Sequence, residues 1–153
     1  MSQITPTLWL SGVEVAYSRL FLVNEKITHV LNCADDAPLS RYPLDLPICV
    51  EQIAMEDDEY SLFLDDLHDA VLTLDTWITE GRTVLVHCRA GISRSATVVL
   101  AWMILCKRMS LDQAWAAVVK ARPIVRPNDY FMKILKGLVP GMGAGTGAGA
   151  TKN

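Results

Sequence analysis

The segment Val84-Leu85-Val86-His87-Cys88-Arg89-Ala90-Gly91-Ile92-Ser93-Arg94-Ser95 constrains the fold more than any other. A β-branched apolar run ends at a cysteine, and an arginine heads the long apolar stretch beyond it, so the order is buried strand, tight loop, helix. Five residues between Cys88 and Arg94 are enough to wrap the backbone into a bowl. Successive N–H groups of such a bowl, with the positive end of the following helix, point at one anion. Gly91 permits the tight backbone.

A cysteine at the base of such a bowl stands at a helix N-terminus beside a guanidinium, surroundings that favour the nucleophilic thiolate. Arg94 offers a planar fork for two equatorial oxygens of a phosphoryl group, and Ser95 is placed to hydrogen-bond the cysteine sulfur when it leaves. Arg89, Ala90, Gly91, Ile92 and Ser93 supply the remaining phosphate-binding backbone. Nucleophile, anion cradle and transition-state clamp in one short segment are what covalent phosphoryl transfer needs. Burial as an inert thiol is the commonest fate of free cysteine, but it would leave His87, Gly91, Arg94 and Ser95 without a purpose.

A chain of 153 residues, 51% hydrophobic and 20% charged, suits one domain with a substantial core. Its net charge of −3 gives no electrostatic reason to bind nucleic acid or an anionic membrane surface. The longest strongly apolar run, Ala96 to Cys106, is too short to span a bilayer. The cysteines at 33, 49, 88 and 106 show no C-x-x-C spacing and no paired histidines, so a zinc site is not expected, and covalent chemistry on a cysteine with a carboxylic acid needs no metal or organic cofactor. A working thiolate fits a reducing compartment, the cytoplasm and also the nucleus.

Residues Ile4 to Ser11 read as a short strand or hairpin, and apolar residues at Val13, Ala16, Leu20 and Val23 as a helix. Thr28 to Cys33 and Ile48 to Met55 read as strands. From about Ser61, Leu64, Leu67, Val71, Leu74 and Ile78 recur at helical spacing, with Gly81 as the stop and His68 on the polar face. Ser95 to Arg108 is apolar nearly all round, which makes it a buried helix with Trp102 in the core. Ser110 with Gln113 forms a capping box, Pro123 ends that helix, and Pro127-Asn128 caps a last one from Asp129 to about Leu138. Lys120, Arg122 and Arg126 fit a positive rim and a solvated face equally well. Residues 1–138 are expected to form the catalytic domain, and the Gly/Ala-rich 139–153 a flexible tail. Alternating strands and helices, with the chemistry at a strand's C-terminal end, imply an α/β sandwich around a mostly parallel sheet.

Breaking a phosphoester also requires a proton for the leaving oxygen, hence a carboxylic acid on a separate loop. The loop after Ile48–Met55 offers Asp57 and Asp58.

His-Cys-x5-Arg-Ser, written here as HCRAGISRS, resembles the signature loop of the cysteine-dependent dual-specificity protein phosphatases, in the form found in their small atypical members. "THVLN" and the "RP…PN" turn from Arg122 to Asn128 are also similar to that family, and the resemblance runs from about Ile4 to Leu138. It implies a sheet of about five strands with Thr83–Cys88 central and four helices on the face of the loop's helix. It implies hydrolysis of phosphotyrosine and phosphoserine or phosphothreonine through a cysteinyl-phosphate intermediate. Ile53-Ala54-Met55-Glu56-Asp57 resembles the family's Ile-Pro-x-x-Asp, which favours Asp57 as the acid; alanine replaces the proline, and Asp58 stands second. The partner implied is a phosphorylated protein, a MAP kinase among the candidates. A phosphoinositide or RNA 5′ end as substrate, and phosphopeptide binding without turnover, are the alternatives. Asn32-Cys33-Ala34-Asp35 resembles a stretch in a related lipid phosphatase group whose cysteine pairs with its nucleophile, so Cys33 is either a redox partner of Cys88 or a small core residue.

Overall fold

In the computed structural model, which describes residues 2–58 and 64–142, the strand leading to Cys88 is the most enclosed. All four residues of Val84–His87 are buried, which requires a covered face on both sides. The strands are β1 (Ser2–Thr5), β2 (Leu8–Ser11), β3 (His29–Ala34), β4 (Cys49–Met55) and β5 (Val84–His87), in the spatial order β1-β2-β5-β3-β4. β1 and β2 form an antiparallel hairpin. The β2–β5, β5–β3 and β3–β4 pairs are parallel, with Val86 level with Leu10 and Leu31. The loops after β2, β3, β4 and β5 therefore all leave the same edge of the sheet, where ligands bind in open α/β sheets.

Alternation across β5 divides the core. Val84 and Val86 face helices α3 (Leu64–Thr79), α4 (Arg94–Leu105), α5 (Leu111–Ala121) and α6 (Asp129–Gly137). Leu85 turns to the opposite layer, where Phe21 and Leu22 of α2 (Arg19–Asn24) pack with Val30, Tyr42 and Ala16 of α1 (Val13–Ala16). Every residue of α4 is buried, as its nearly unbroken apolar sequence demands. Trp102 is 1% exposed and donates Nε1–H to Asp75 Oδ1 at 3.0 Å, so its one polar atom is satisfied inside the core. The Ser110/Gln113 capping box starts α5 and the Asn128 side chain caps α6. His29 packs at a tilt against Trp77 and bonds Thr28, a packing role at the far edge of the sheet.

Of the three cations that fitted a rim or a solvated face, Arg122 meets neither expectation. It is 8% exposed, because the chain breaks from α5 at Pro123 and turns this side chain inward. Within the stretch expected to be a tail, Gly141 N–H donates to Ile104 O at 3.0 Å and lies against the Arg108 side chain. Residues 143–153 lie outside the described residues, as do 59–63, where the helical pattern before α3 begins.

Candidate active site

The loop from Cys88 to Ser93 is shaped from outside, through its carbonyls. The Cys88 carbonyl accepts from His87 Nδ1 at 3.0 Å, and that of Arg89 from Val13 N–H at 2.9 Å. Arg122 takes the next two, Nη2–H to Ala90 O at 3.1 Å and Nε–H to Gly91 O at 2.8 Å. Arg126 N–H donates to Ile92 O at 2.8 Å, and Ser93 O accepts Thr97 N–H at 2.9 Å and its hydroxyl at 2.7 Å. Six consecutive carbonyls are thus engaged away from the bowl. On the side of the sulfur, the Gly91 N–H reaches Cys88 Sγ at 3.3 Å. Backbone amides fixed in this way form an anion site before any anion arrives.

Close approach of two glycines makes this possible. Gly91 has φ +70°, and a Cβ there would lie 2.5 Å from the Ser11 carbonyl carbon and 2.7 Å from Gly12 N. A Cβ on Gly12 would lie 2.9 Å from Arg89 O. The turn after β2 is therefore pressed onto the Cys88–Ser93 loop, backbone against backbone.

Cys88 is 2% exposed, and its sulfur lies 3.1 Å from Ser95 Oγ in the first turn of α4. Arg94 is 6% exposed, and its Nη1 donates to Asp35 Oδ1 at 2.9 Å, Asp36 Oδ1 at 3.2 Å and Met55 O at 3.0 Å. Its Nε is a buried donor without a partner among the described residues. Arg89 and Ala90 are exposed at the rim, with Arg89 Nη1 on Asp36 O at 3.3 Å. Ile92 lies between the rim and the core, and Ser93 is buried.

His87 is fully buried between the loop and Tyr42. A carbonyl can only accept, so Nδ1 carries the proton given to Cys88 O, and Nε2 accepts from the Tyr42 hydroxyl. Burial pulls its pKa down from 6.5 to about 4, partly opposed by the bond to Cys88 O. Burial likewise pushes the Tyr42 phenol up, so both partners are neutral at pH 7.

Asp57, exposed at the end of β4, reaches the bowl through Asn128, whose Nδ2 donates to Asp57 Oδ1 at 3.0 Å and to Asp58 O at 3.2 Å. Asp57 presents its carboxylate in this bridge and Asp58 its backbone. Cys33 is fully buried in the same core layer as Cys88. The parallel register ends at the Asn32–His87 pair, one residue before Cys33 and Cys88, and Cys33 is near enough to Cys88 for its charge to act on it. Burial raises the Cys33 thiol pKa well above its ordinary value; nearby Cys88 adds to this and Arg94 opposes it.

Sequence reasoning did not find Asp35 and Asp36 as partners of Arg94, Tyr42 as the partner of His87, or Arg122 as the support of the loop. The signal for Arg122 was its place directly before Pro123, where a helix must stop. The two aspartates directly follow β3, on the same sheet edge as Cys88.

The description "Dual specificity phosphatase, catalytic domain" matches residues 8–138. The rat protein "Dual specificity protein phosphatase 18" is 34% identical over 139 residues, covering 88% of this chain and 65% of that protein. The human "Dual specificity protein phosphatase 21" is 35% identical over 134 residues, covering 88% and 69%. This chain thus spans about two thirds of the length of either relative. The crystal structure of human DUSP28 superposes with a TM-score of 0.80 at 25% identity, covering 89% of this chain and 93% of that one.

His87 makes one property measurable. Its folded-state pKa lies below the unfolded value, so between pH 6.5 and about 4 the unfolded chain binds the extra proton. This contribution to stability is complete above pH 6.5 and is lost as pH falls, by about 1.4 kcal/mol per unit and about 3 kcal/mol in all. Urea unfolding across that range should show a shallower pH dependence in His87→Gln than in the wild type. Parallel curves would contradict a buried, neutral His87.

Proposed function

We propose that this chain, which belongs to the dual-specificity phosphatase family through its catalytic domain, hydrolyses phosphotyrosine and phosphoserine or phosphothreonine in proteins. The observation that carries this reading is Cys88 Sγ at the base of a loop whose six carbonyls are engaged outward. Cys88 Sγ attacks phosphorus, the S–P bond forms and the P–O bond to the leaving oxygen breaks. Arg94 binds the equatorial oxygens, and the partnerless buried Nε–H is a donor that such an oxygen satisfies. Asp57 gives its proton to the leaving oxygen. In the second half, the Asp57 carboxylate takes a proton from water, water oxygen bonds to phosphorus and the S–P bond breaks. Ser95 Oγ–H stabilises the thiolate as it departs. Nothing in this sequence needs a metal or organic cofactor.

Among the described residues no helix is long and apolar enough to cross a membrane. A reducing compartment, cytoplasmic or nuclear, suits the thiolate, and a MAP kinase is one candidate among phosphoprotein substrates. The loop's variable positions hold one basic residue, Arg89, which favours protein over polyanionic substrates. A panel of phosphotyrosine and phosphothreonine peptides, phosphoinositides and 5′-triphosphate RNA tests the reading. Turnover should be found on both peptide classes and disappear in Cys88→Ser, while vanadate still binds. Activity confined to lipid or RNA, or robust turnover by Cys88→Ser, would contradict it.

The place of Cys33 near the nucleophile supports a second role. Neighbouring strands lie about 4.8 Å apart, within the Cα separation a disulfide bridges. Peroxide oxidises the Cys88 thiolate to sulfenic acid and is itself reduced to water. Cys33 sulfur then displaces the sulfenic oxygen, which leaves with the Cys33 proton as a second water, and the S–S bond that forms is reopened by thiol. After peroxide and then thiol, the wild type should recover more activity than Cys33→Ser and yield a Cys33–Cys88 peptide on mapping. Equal recovery with no such peptide would leave Cys33 as packing.

A further inference from the structure

Asn128 joins three segments through three polar groups. Its Oδ1 accepts Phe131 N–H at 2.8 Å and caps α6. Its backbone N–H donates to Ser93 Oγ of the phosphate loop at 3.1 Å. Its Nδ2 donates to Asp57 Oδ1 at 3.0 Å and Asp58 O at 3.2 Å. The cap settles the orientation of the amide, because only an oxygen can accept from Phe131, and so the group facing Asp57 is a donor. Asp57 is exposed, and an untethered exposed carboxylate spreads over several rotamers. At the end of β4, just before the loop that carries Asp57, Met55 O also accepts from Arg94 Nη1 at 3.0 Å.

We propose that Asn128 is a positioning residue for the general acid, an inference that rests on the reading of Asp57 as that acid. A protonated carboxyl has one accepting and one donating oxygen. The N–H at Oδ1 makes Oδ1 the acceptor, so the acidic proton sits on Oδ2, turned to the leaving group. As the P–O bond breaks and Oδ2 releases its proton, negative charge spreads onto Oδ1, and the Asn128 bond becomes charge-assisted and stronger. An interaction that strengthens on the way to the transition state accelerates the step. The same contact holds the carboxylate when Oδ2 takes the proton from water. Because Asn128 is tied by its N–H to Ser93, the acid is registered to the phosphate loop itself.

The cap and the tether are separable by substitution. Asn128→Ser keeps a capping oxygen and the N–H to Ser93 but removes the amide donor. Asn128→Asp keeps the cap and the size and replaces the donor with an acceptor. The experiment measures kcat/KM on an alkyl phosphate, a phosphothreonine peptide, and on an aryl phosphate with an acidic phenol as leaving group. It compares the wild type, both Asn128 variants, Asp57→Asn, and Asp57→Asn combined with Asn128→Ser, with thermal unfolding of each. Either Asn128 variant should lose about tenfold on the alkyl ester and about twofold or less on the aryl ester, with an unchanged melting temperature. The double variant should be no slower than Asp57→Asn alone. Equal losses on both esters, or additive losses in the double variant, would overturn the proposal. A leaving-group effect in Asp57→Asn beside wild-type behaviour in the Asn128 variants would overturn the tether alone. No leaving-group effect in Asp57→Asn would overturn the acid assignment and the tether with it.

Discussion

The site depends on where six carbonyl groups point. A short loop curled about an anion must turn its amide N–H groups inward, and this is stable only if the carbonyls find donors outside. Here the donors come from β5, α1, α4 and the turn after α5, so the phosphate loop is a product of the whole fold rather than of its own sequence. Arg122 is the most committed of them. Burying a guanidinium is unfavourable unless its N–H groups are bonded, and it gives two of them to adjacent loop carbonyls. In the proposed reaction this loop would act as an anion site preorganised by backbone dipoles, which need no rearrangement at the moment of reaction.

The same logic extends outward from the loop. β5 is flanked by two parallel strands, so the loops of β2, β3 and β4 arrive at the edge where Cys88 emerges. Each brings one component: the turn after β2 brings Gly12 and Val13 against the bowl, the loop after β3 brings Asp35 and Asp36 to Arg94, and the loop after β4 brings Asp57. The two acidic side chains hold Nη1 of Arg94 and leave Nε free for an oxyanion. His87 and Tyr42 are bonded to each other as neutral groups, so the floor of the site adds hydrogen bonds without adding charge.

The fold was legible where local signals coincided: the apolar run before Cys88, the continuous apolar stretch of α4, the Ser110/Gln113 box and the β1–β2 hairpin around Pro6. The cysteine, arginine and loop proposed as nucleophile, clamp and anion cradle were legible as one unit because they are contiguous. Arg122 was not, since Lys120, Arg122 and Arg126 are alike in sequence and only packing turns one of them inward. Nor were Asp35, Asp36 and Tyr42, whose partners lie far away along the chain and meet only through strand order. Asn128 was readable as a cap from its place before α6, while its bond to Asp57 exists only because the loop after β4 and the turn before α6 converge on the phosphate loop.

If the bowl serves a covalent step, Cys88 carries a phosphoryl group during turnover. Rapid denaturing quench in the first turnover of a phosphotyrosine peptide, followed by mass spectrometry of the proteolysed chain, detects it. A phosphoryl group is expected on the peptide that contains Cys88, rising within the first turnover and decaying as phosphate is released. Release of phosphate at the full rate with no phosphoryl group ever present on Cys88 would contradict the covalent step.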